Sequence, residues 1–149
     1  MSQNKSNLIE QIVYKNKILA IIIRYSFSKD GIEFFTPNFF SQQVGYMKRP
    51  KGYEIKPHIH NQVQRTINNT QEVLIIKKGK VRVDFYDIEK VYISSKILSK
   101  GDLLILVSGG HGFFMEEESE IFEVKQGPYF EDSDKEKFYA INNDMVVLK

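Results

Sequence analysis

Short runs of β-branched and aromatic residues, separated by Gly, Pro, Asn or Asp about every ten residues, limit most strongly how this chain can fold. Such runs are typical of β-strands, and the separators are typical of turns. Helix is expected only as one turn at Thr36–Phe40 and another in the tail at 131–144. The pattern predicts an all-β sandwich or barrel with strands at 12–14, 18–25, 42–47, 53–60, 71–77, 81–86, 91–98, 103–107, 112–115 and 121–125.

Alternation within the run 81–86 predicts which of its side chains face inward. Val81, Val83 and Phe85 share one face, while Arg82 and Asp84 share the other. This is the pattern of a strand with one buried side and one wet side.

The runs 71–77 and 103–107 carry apolar residues on both faces. Something must therefore cover their outer face, either the N-terminal strand 18–25 or a second subunit. A homodimer that buries part of this face is predicted.

Length and charge exclude several classes of protein. A chain of 149 residues without a linker or an internal repeat is expected to form a single domain, 1–149. The net charge of +2 is too small to indicate nucleic acid or an anionic membrane as a partner. The basic run Lys77–Arg82 (KKGKVR) is interpreted as a solvated hairpin turn.

The protein is expected to be soluble and cytoplasmic. Its most apolar segment, Ile18–Ile23, is far shorter than the roughly 20 residues of a membrane-spanning helix. The polar N-terminus lacks the basic-then-apolar order of a secretion signal. Because the chain has no cysteine, any metal ion would have to be bound through nitrogen and oxygen.

Two of the three histidines, His58 and His60, lie one residue apart after Pro57. In an extended strand, residues i and i+2 project from the same face about 6.6–6.8 Å apart. Two imidazoles at this spacing can converge on one metal ion, although an isolated pair of this kind is also found by chance on surfaces.

The third histidine, His111, lies in the glycine-rich run SGGHG, which leaves open space beside the imidazole. Glu72 has the same parity as Leu74 and Ile76 and is expected to point inward. A buried carboxylate is costly unless it is paired or binds a metal, and at a strand end it can also reach water.

The order of these residues resembles the cupin superfamily. Its first motif runs glycine, five residues, HxH, then glutamate, six residues and glycine; this chain has Gly52, His58-Ile59-His60, Glu72 and Gly79 at the outer spacings of that motif.

The second cupin motif runs glycine, five residues, proline, any residue, glycine, two residues and histidine. Here Gly101 is followed by Val107 in place of the proline, and one residue instead of two separates Gly109 from His111. Eleven residues (NQVQRTINNTQ) also separate His60 from Glu72, where the family has three or four.

The resemblance implies a double-stranded β-helix, the cupin jelly-roll barrel, with little helix. The motif-bearing barrel would span about 41–127, with N-terminal strands at 10–25 and a charged tail at 131–149. It also implies one divalent transition metal ion. Nitrogen and oxygen ligands of this kind are compatible with Fe(II), Mn(II), Ni(II), Co(II) and Zn(II), so the ligand set does not identify the metal. The implied ligands are His58, His60, Glu72 and His111.

Four further residues are candidates for contact with a substrate. Arg65, in the inserted loop, could clamp a carboxylate or phosphate, or could simply be solvated. Gln126, which shares its parity with Phe122 and Val124, is expected to point inward, where it could hold a substrate or satisfy nearby backbone. The parity of Tyr46 and Gln43 is not fixed by the sequence, so either could line the cavity. Phe113 and Met115 are expected in the core.

The resemblance implies a small-molecule ligand and two classes of function. One is a metal-dependent enzyme, of isomerase, epimerase or dioxygenase type, acting on a small polar molecule such as a sugar or sugar derivative. The other is a non-catalytic ligand-binding or sensor protein, since the fold alone does not separate the two.

Overall fold

The structure is a computed structural model that describes residues 8–128 and 135–149. It is almost entirely β and divides into two compact units, one formed by residues up to 26 and from 69 onward, the other by residues 27–68. The strands are β1 (Ile9–Tyr14), β2 (Lys17–Ile23), β3 (Gly31–Phe34), β4 (Gly45–Lys48), β5 (Glu72–Lys78), β6 (Lys80–Tyr86), β7 (Tyr92–Ser99), β8 (Leu103–Leu106), β9 (Gly110–Met115) and β10 (Glu120–Lys125).

The larger unit contains two antiparallel sheets. One has five strands in the order β1-β2-β8-β5-β10, and the other has three in the order β7-β6-β9. The consecutive strands β5 and β6, β7 and β8, and β9 and β10 each belong to different sheets, so the chain crosses between the sheets at each of these connections.

The basic run Lys77–Arg82 contains one of these crossings. It is exposed at its lysines, but the hairpin interpretation is wrong, because β5 and β6 do not pair with each other. Gly79 has a φ of +83°, and a Cβ there would lie 2.3 Å from the carbonyl oxygen of Glu118. Only glycine fits this crossing.

Apolar side chains from both sheets form the core of the larger unit. The prediction that Leu74, Ile76, Val81, Val83 and Phe85 point inward is confirmed. The core cluster comprises Ile12, Leu19, Ala20, Ile22, Leu74, Ile76, Val81, Val83, Phe85, Leu98, Leu104 and Leu106.

The opposite face of β6 is not wet, so that prediction is wrong. Arg82 and Asp84 are both buried and form a bidentate ion pair, with nitrogen to oxygen distances of 2.9 and 3.2 Å. The C-terminal segment covers them: Arg82 Nη1 donates to Asn143 Oδ1 at 3.0 Å. The backbone N–H of Ser95 on β7 donates to the carbonyl of Val147 at 2.9 Å.

Residues 18–23 of the predicted strand 18–25 belong to β2, which is a member of the five-stranded sheet and does not cover it. This strand pairs with β8, and Ile21 lies opposite Ile105. Both side chains are fully buried in the single chain although they do not belong to the core cluster. The oligomeric state itself stays a prediction.

The parity predicted for β10 is wrong. Phe122 and Val124 are 57% and 54% exposed, while Ile121 packs against the core. The register places Lys125 opposite Glu72 on the inner side. The sequence pattern misled because β10 is the last strand in the sheet order, where an apolar outer face can remain in water.

Phe113 and Met115 have the inward parity of the core but are 36% and 48% exposed. Their assignment to the core is therefore wrong. They lie on β9, the last strand of the three-stranded sheet, where the inner side of the sheet is open to solvent.

The unit 27–68 contains the hairpin-like pair β3 and β4, and β3 was not predicted. Phe27 packs edge-on against both Phe35 and Tyr46 at centroid distances of 5.1 Å. The strand predicted at 53–60 is absent, because these residues have no regular secondary structure.

Helix is as scarce as expected. Thr36–Phe40 forms a turn closed by the N–H of Phe40 on the carbonyl of Pro37, not a helix. In the described part of the predicted tail helix, the only helical residues belong to a 3-10 turn, Asn143–Met145; residues 131–134 lie outside the described ranges. Over the described ranges, the structure contains no helix with the length and apolar character needed to cross a bilayer.

Candidate functional site

Glu72 and His111 meet at the centre of the candidate site. Glu72 begins β5 in one sheet and His111 lies near the start of β9 in the other, and both project to the inner side. The Nε2 atom of His111 lies 3.2 Å from Oε2 of Glu72. Because a carboxylate can only accept a hydrogen bond, Nε2 carries the proton in this contact.

This contact changes the ionisation of the carboxyl group. The hydrogen bond from His111 is the largest effect, and it lowers the pKa of Glu72 below the ordinary value of 4.5. Burial acts in the opposite direction, and the positive charges of Lys125 and Lys135 add to the lowering. Glu72 is therefore held as a carboxylate at neutral pH.

Glu72 and His111 line a cleft of about 830 Å³ in the larger unit. Aromatic and aliphatic side chains, among them Phe113 and Phe138, form part of its wall. Polar groups come from Thr70, Ser108 and several charged residues. The cleft is thus strongly polar beside its apolar wall, which favours a small polar molecule over an apolar one.

The C-terminal segment supplies one wall of this cleft. The ring of Phe138 packs edge-on against Tyr86 at 5.0 Å, and the Tyr86 hydroxyl accepts the N–H of Ile141 at 2.9 Å. A Cβ at Gly110 would lie 2.9 Å from Phe138, so a glycine beside His111 makes room for this ring. The open space expected beside the imidazole is thus partly filled by the chain itself.

His58 and His60 belong to the unit 27–68. Their rings lie 5.1 Å apart, edge to face, and Nδ1 of His58 is 3.0 Å from the carbonyl oxygen of Lys56. Both histidines are exposed, and Ile59 between them is 94% exposed. Within the described ranges, the structure has no group of three or more His, Asp or Glu side chains arranged to hold a metal ion.

Gln126 makes a hydrogen bond to nearby backbone. Its Oε1 accepts the backbone N–H of Gln71 at 2.7 Å, which ties the end of β10 to the start of β5. The amide therefore satisfies nearby backbone, as one of the two readings of the sequence expected.

Three other candidates lie in the unit 27–68. Gln43 bonds with Thr36 and with the carbonyls of Pro37 and Phe40, and so fastens a turn. Tyr46 packs on Phe27, and Arg65 is exposed in the inserted loop.

The sequence reasoning missed Lys125 and Phe138. The Nζ atom of Lys125 lies 3.9 Å from Glu72 Oε1 and 3.7 Å from Glu123 Oε1. Reversing the parity of β10 would have placed Lys125 inward, but Phe122 and Val124 favoured the other choice. Phe138 follows a charged run, and nothing in its sequence context indicates a wall of the site.

The chain matches no protein-family model, no curated protein and no solved structure.

Proposed function

We propose that the protein binds a small polar molecule in the cleft beside Glu72 and His111, within a fold of the cupin type. The observation that carries the proposal is the contact between these two side chains at the wall of a cleft of suitable size. The alternation of consecutive strands between two antiparallel sheets supports a double-stranded β-helix.

The chemistry of the cleft favours a ligand with hydroxyl or carbonyl groups and an apolar ring face, such as a sugar or sugar derivative. The Glu72 carboxylate and the unprotonated Nδ1 of His111 can accept hydrogen bonds from hydroxyls, and the hydroxyl of Thr70, which lines the same cleft, can donate to a carbonyl oxygen. Phe113, whose ring centroid lies 5.4 Å from that of His111, offers an apolar surface beside these groups.

Glu72 and His111 also have the chemistry of a proton-transfer pair. The carboxylate orients the imidazole through Nε2, and either group can take or give a proton at a bound ligand. This supports an isomerase or epimerase as one form of the function, and a binding or sensor protein without turnover as the alternative.

A thermal-shift screen against monosaccharides, sugar phosphates and small keto acids tests the binding proposal. For a compound that stabilises the protein, Glu72→Gln and His111→Asn should each weaken binding about tenfold or more, since a hydrogen bond to a charged group contributes about 1.5–3 kcal/mol. Glu117→Gln, in the exposed turn after β9, is the matched control and should bind normally.

Equal affinity in all of these variants would refute binding at this pair. Incubation of the same compounds with the protein, followed by proton NMR and dioxygen uptake, then separates an enzyme from a binding protein. Only an enzyme yields a product.

The metal ion stays a proposal that rests on the resemblance. Within the larger unit, Glu72 and His111 offer one oxygen and one nitrogen, whereas protein metal sites of this class use three or four protein ligands. The other two implied ligands, His58 and His60, belong to the unit 27–68. Two donors alone do not fit a transition-metal site, so no step proposed above depends on an ion.

Metal analysis of protein purified without a histidine tag tests the four-ligand proposal. If it holds, about one equivalent of metal is retained, and His58→Ala loses it as fully as His111→Ala does. Retention of less than about a tenth of an equivalent, after growth with supplemented metals, would contradict the metal site and leave the ligand proposal standing.

A further inference from the structure

Residues 53–67, here called the arm, have the sequence of a strand but no regular structure. Every even position from 54 to 66 is polar, while six of the eight odd positions are apolar. Alternation of this kind, interrupted only at Asn61 and Arg65, indicates a strand with one buried face. Yet the apolar side chains are all exposed in the single chain: Tyr53, Ile55, Pro57, Ile59, Val63 and Ile67.

Strand β10 offers a complementary edge. It is the last strand of the five-stranded order, and its outer face exposes Phe122 and Val124 next to Ile75 of β5. An edge strand with an exposed apolar face is a template for pairing with another strand.

The hydrogen bonds of β5 show which residues of β10 can pair outward. The backbone N–H of Ile76 donates to the backbone carbonyl of Asp102, and the carbonyl of Ile76 accepts the backbone N–H of Gly101. The backbone groups of Ile76 therefore point toward the β8 side of β5. Backbone groups alternate along a strand, so Val73 and Ile75 bond toward β10, to Val124 and Phe122. Ile121, Glu123 and Lys125 therefore direct their N–H and C=O groups away from β5.

One antiparallel register between the arm and β10 satisfies charge, apolar contact and Pro57 together. It places Glu54 opposite Lys125 and Lys56 opposite Glu123, with Ile55 opposite Val124. Pro57 then lies opposite Phe122, whose backbone groups bond to β5, so the missing N–H of the proline is not needed.

Neighbouring registers are unfavourable. A shift of two residues in one direction places Glu54 opposite Glu123, and the same shift in the other direction places Lys56 opposite Lys125. Like charges directly opposite each other destabilise a ladder.

We propose that the arm of one copy of this chain adds to β10 of a second copy, and that the exchange is reciprocal in a two-fold homodimer. Each copy has one arm and one β10 edge, so two-fold symmetry satisfies both. The exposure of the arm in the single chain favours a second copy as the partner. In this register His58 lies opposite Ile121, four residues along β10 from Lys125, which itself lies opposite Glu72. An arm bound to β10 of a second copy therefore cannot also supply His58 to the four-ligand metal site, so the dimer and the metal site are alternatives for one arm.

Charge reversal tests the register. Light scattering over a dilution series should show a dimer for the wild type. Lys56→Glu and Glu123→Lys should each weaken the dimer about tenfold or more, because each places like charges opposite one another at both symmetric contacts. The double variant with both changes should recover the dimer, and Lys51→Glu, an exposed charge outside the arm, should leave it unchanged.

A cross-link identifies the chain that receives the arm. The wild type has no cysteine, so Ile55→Cys combined with Val124→Cys introduces one possible pair per contact. Oxidation should give a covalent dimer on a non-reducing gel. A monomer at all concentrations, single charge variants that dimerise normally, or a disulfide formed within one chain would each overturn the proposal.

Discussion

Glu72 shows what strand parity can and cannot predict for one residue. Its parity with Leu74 and Ile76 predicted an inward side chain, and the structure confirms this. Its partner was not predictable, because the contact with His111 joins strands of two different sheets. Local alternation fixes the direction of a side chain, whereas the residue that it meets depends on how distant strands pair.

The lowered pKa of Glu72 gives a pH dependence with a definite sign. The pKa of Glu72 in the folded protein lies below the ordinary 4.5, so its hydrogen-bonded carboxylate contributes stability above pH 4.5, and this contribution is lost as the pH falls through the folded value. At neutral pH, Glu72→Gln should lower the free energy of unfolding by about 1 kcal/mol. The difference from wild type should shrink as the pH falls below 4.5.

Urea unfolding at a series of pH values measures this effect. Glu117→Gln should follow the wild-type curve throughout, because Glu117 is exposed. A constant difference between Glu72→Gln and wild type at every pH would mean that the charge of the carboxylate does not stabilise the fold.

The C-terminal segment is the element that the sequence described least well. The sequence predicted only a charged tail with one turn of helix, but its residues 143–149 cover Arg82 and Asp84, and Leu148 bridges to Ser95 of β7. The charges in this region gave no sign of the cover, because the contacts that fasten it are made by backbone groups and by Asn143.

Adjacent aromatic residues in this segment allow a matched comparison. Phe138 packs on Tyr86 and over Gly110, whereas Tyr139 is 98% exposed. Phe138→Ala should lower the free energy of unfolding by about 1–2 kcal/mol, less than for a fully buried ring. Tyr139→Ala should change it by less than about 0.5 kcal/mol. Chemical denaturation of both variants measures the difference, and equal effects would contradict the packing described for Phe138.

For the whole molecule, the sequence predicted the all-β class and eight of the strands near their observed positions within the larger unit. Local alternation and turn residues indicate these strands, and both patterns can be identified without considering distant parts of the chain. The strand order, the crossings between sheets and the division into two units were not predictable, because they depend on pairings between residues far apart in sequence. The prediction of a strand at 53–60 was wrong for the same reason. The alternation there is that of a strand, but a strand also needs a neighbouring strand to pair with.

The cover over β6 has a consequence for how the protein is made. A ribosome adds residues 143–149 after every strand of both sheets, and until they emerge the Arg82–Asp84 pair lacks its cover. The nascent chain is therefore expected to complete its fold only after residues 143–149 have left the exit tunnel, and a chain truncated before residue 143 would be more exposed to proteases.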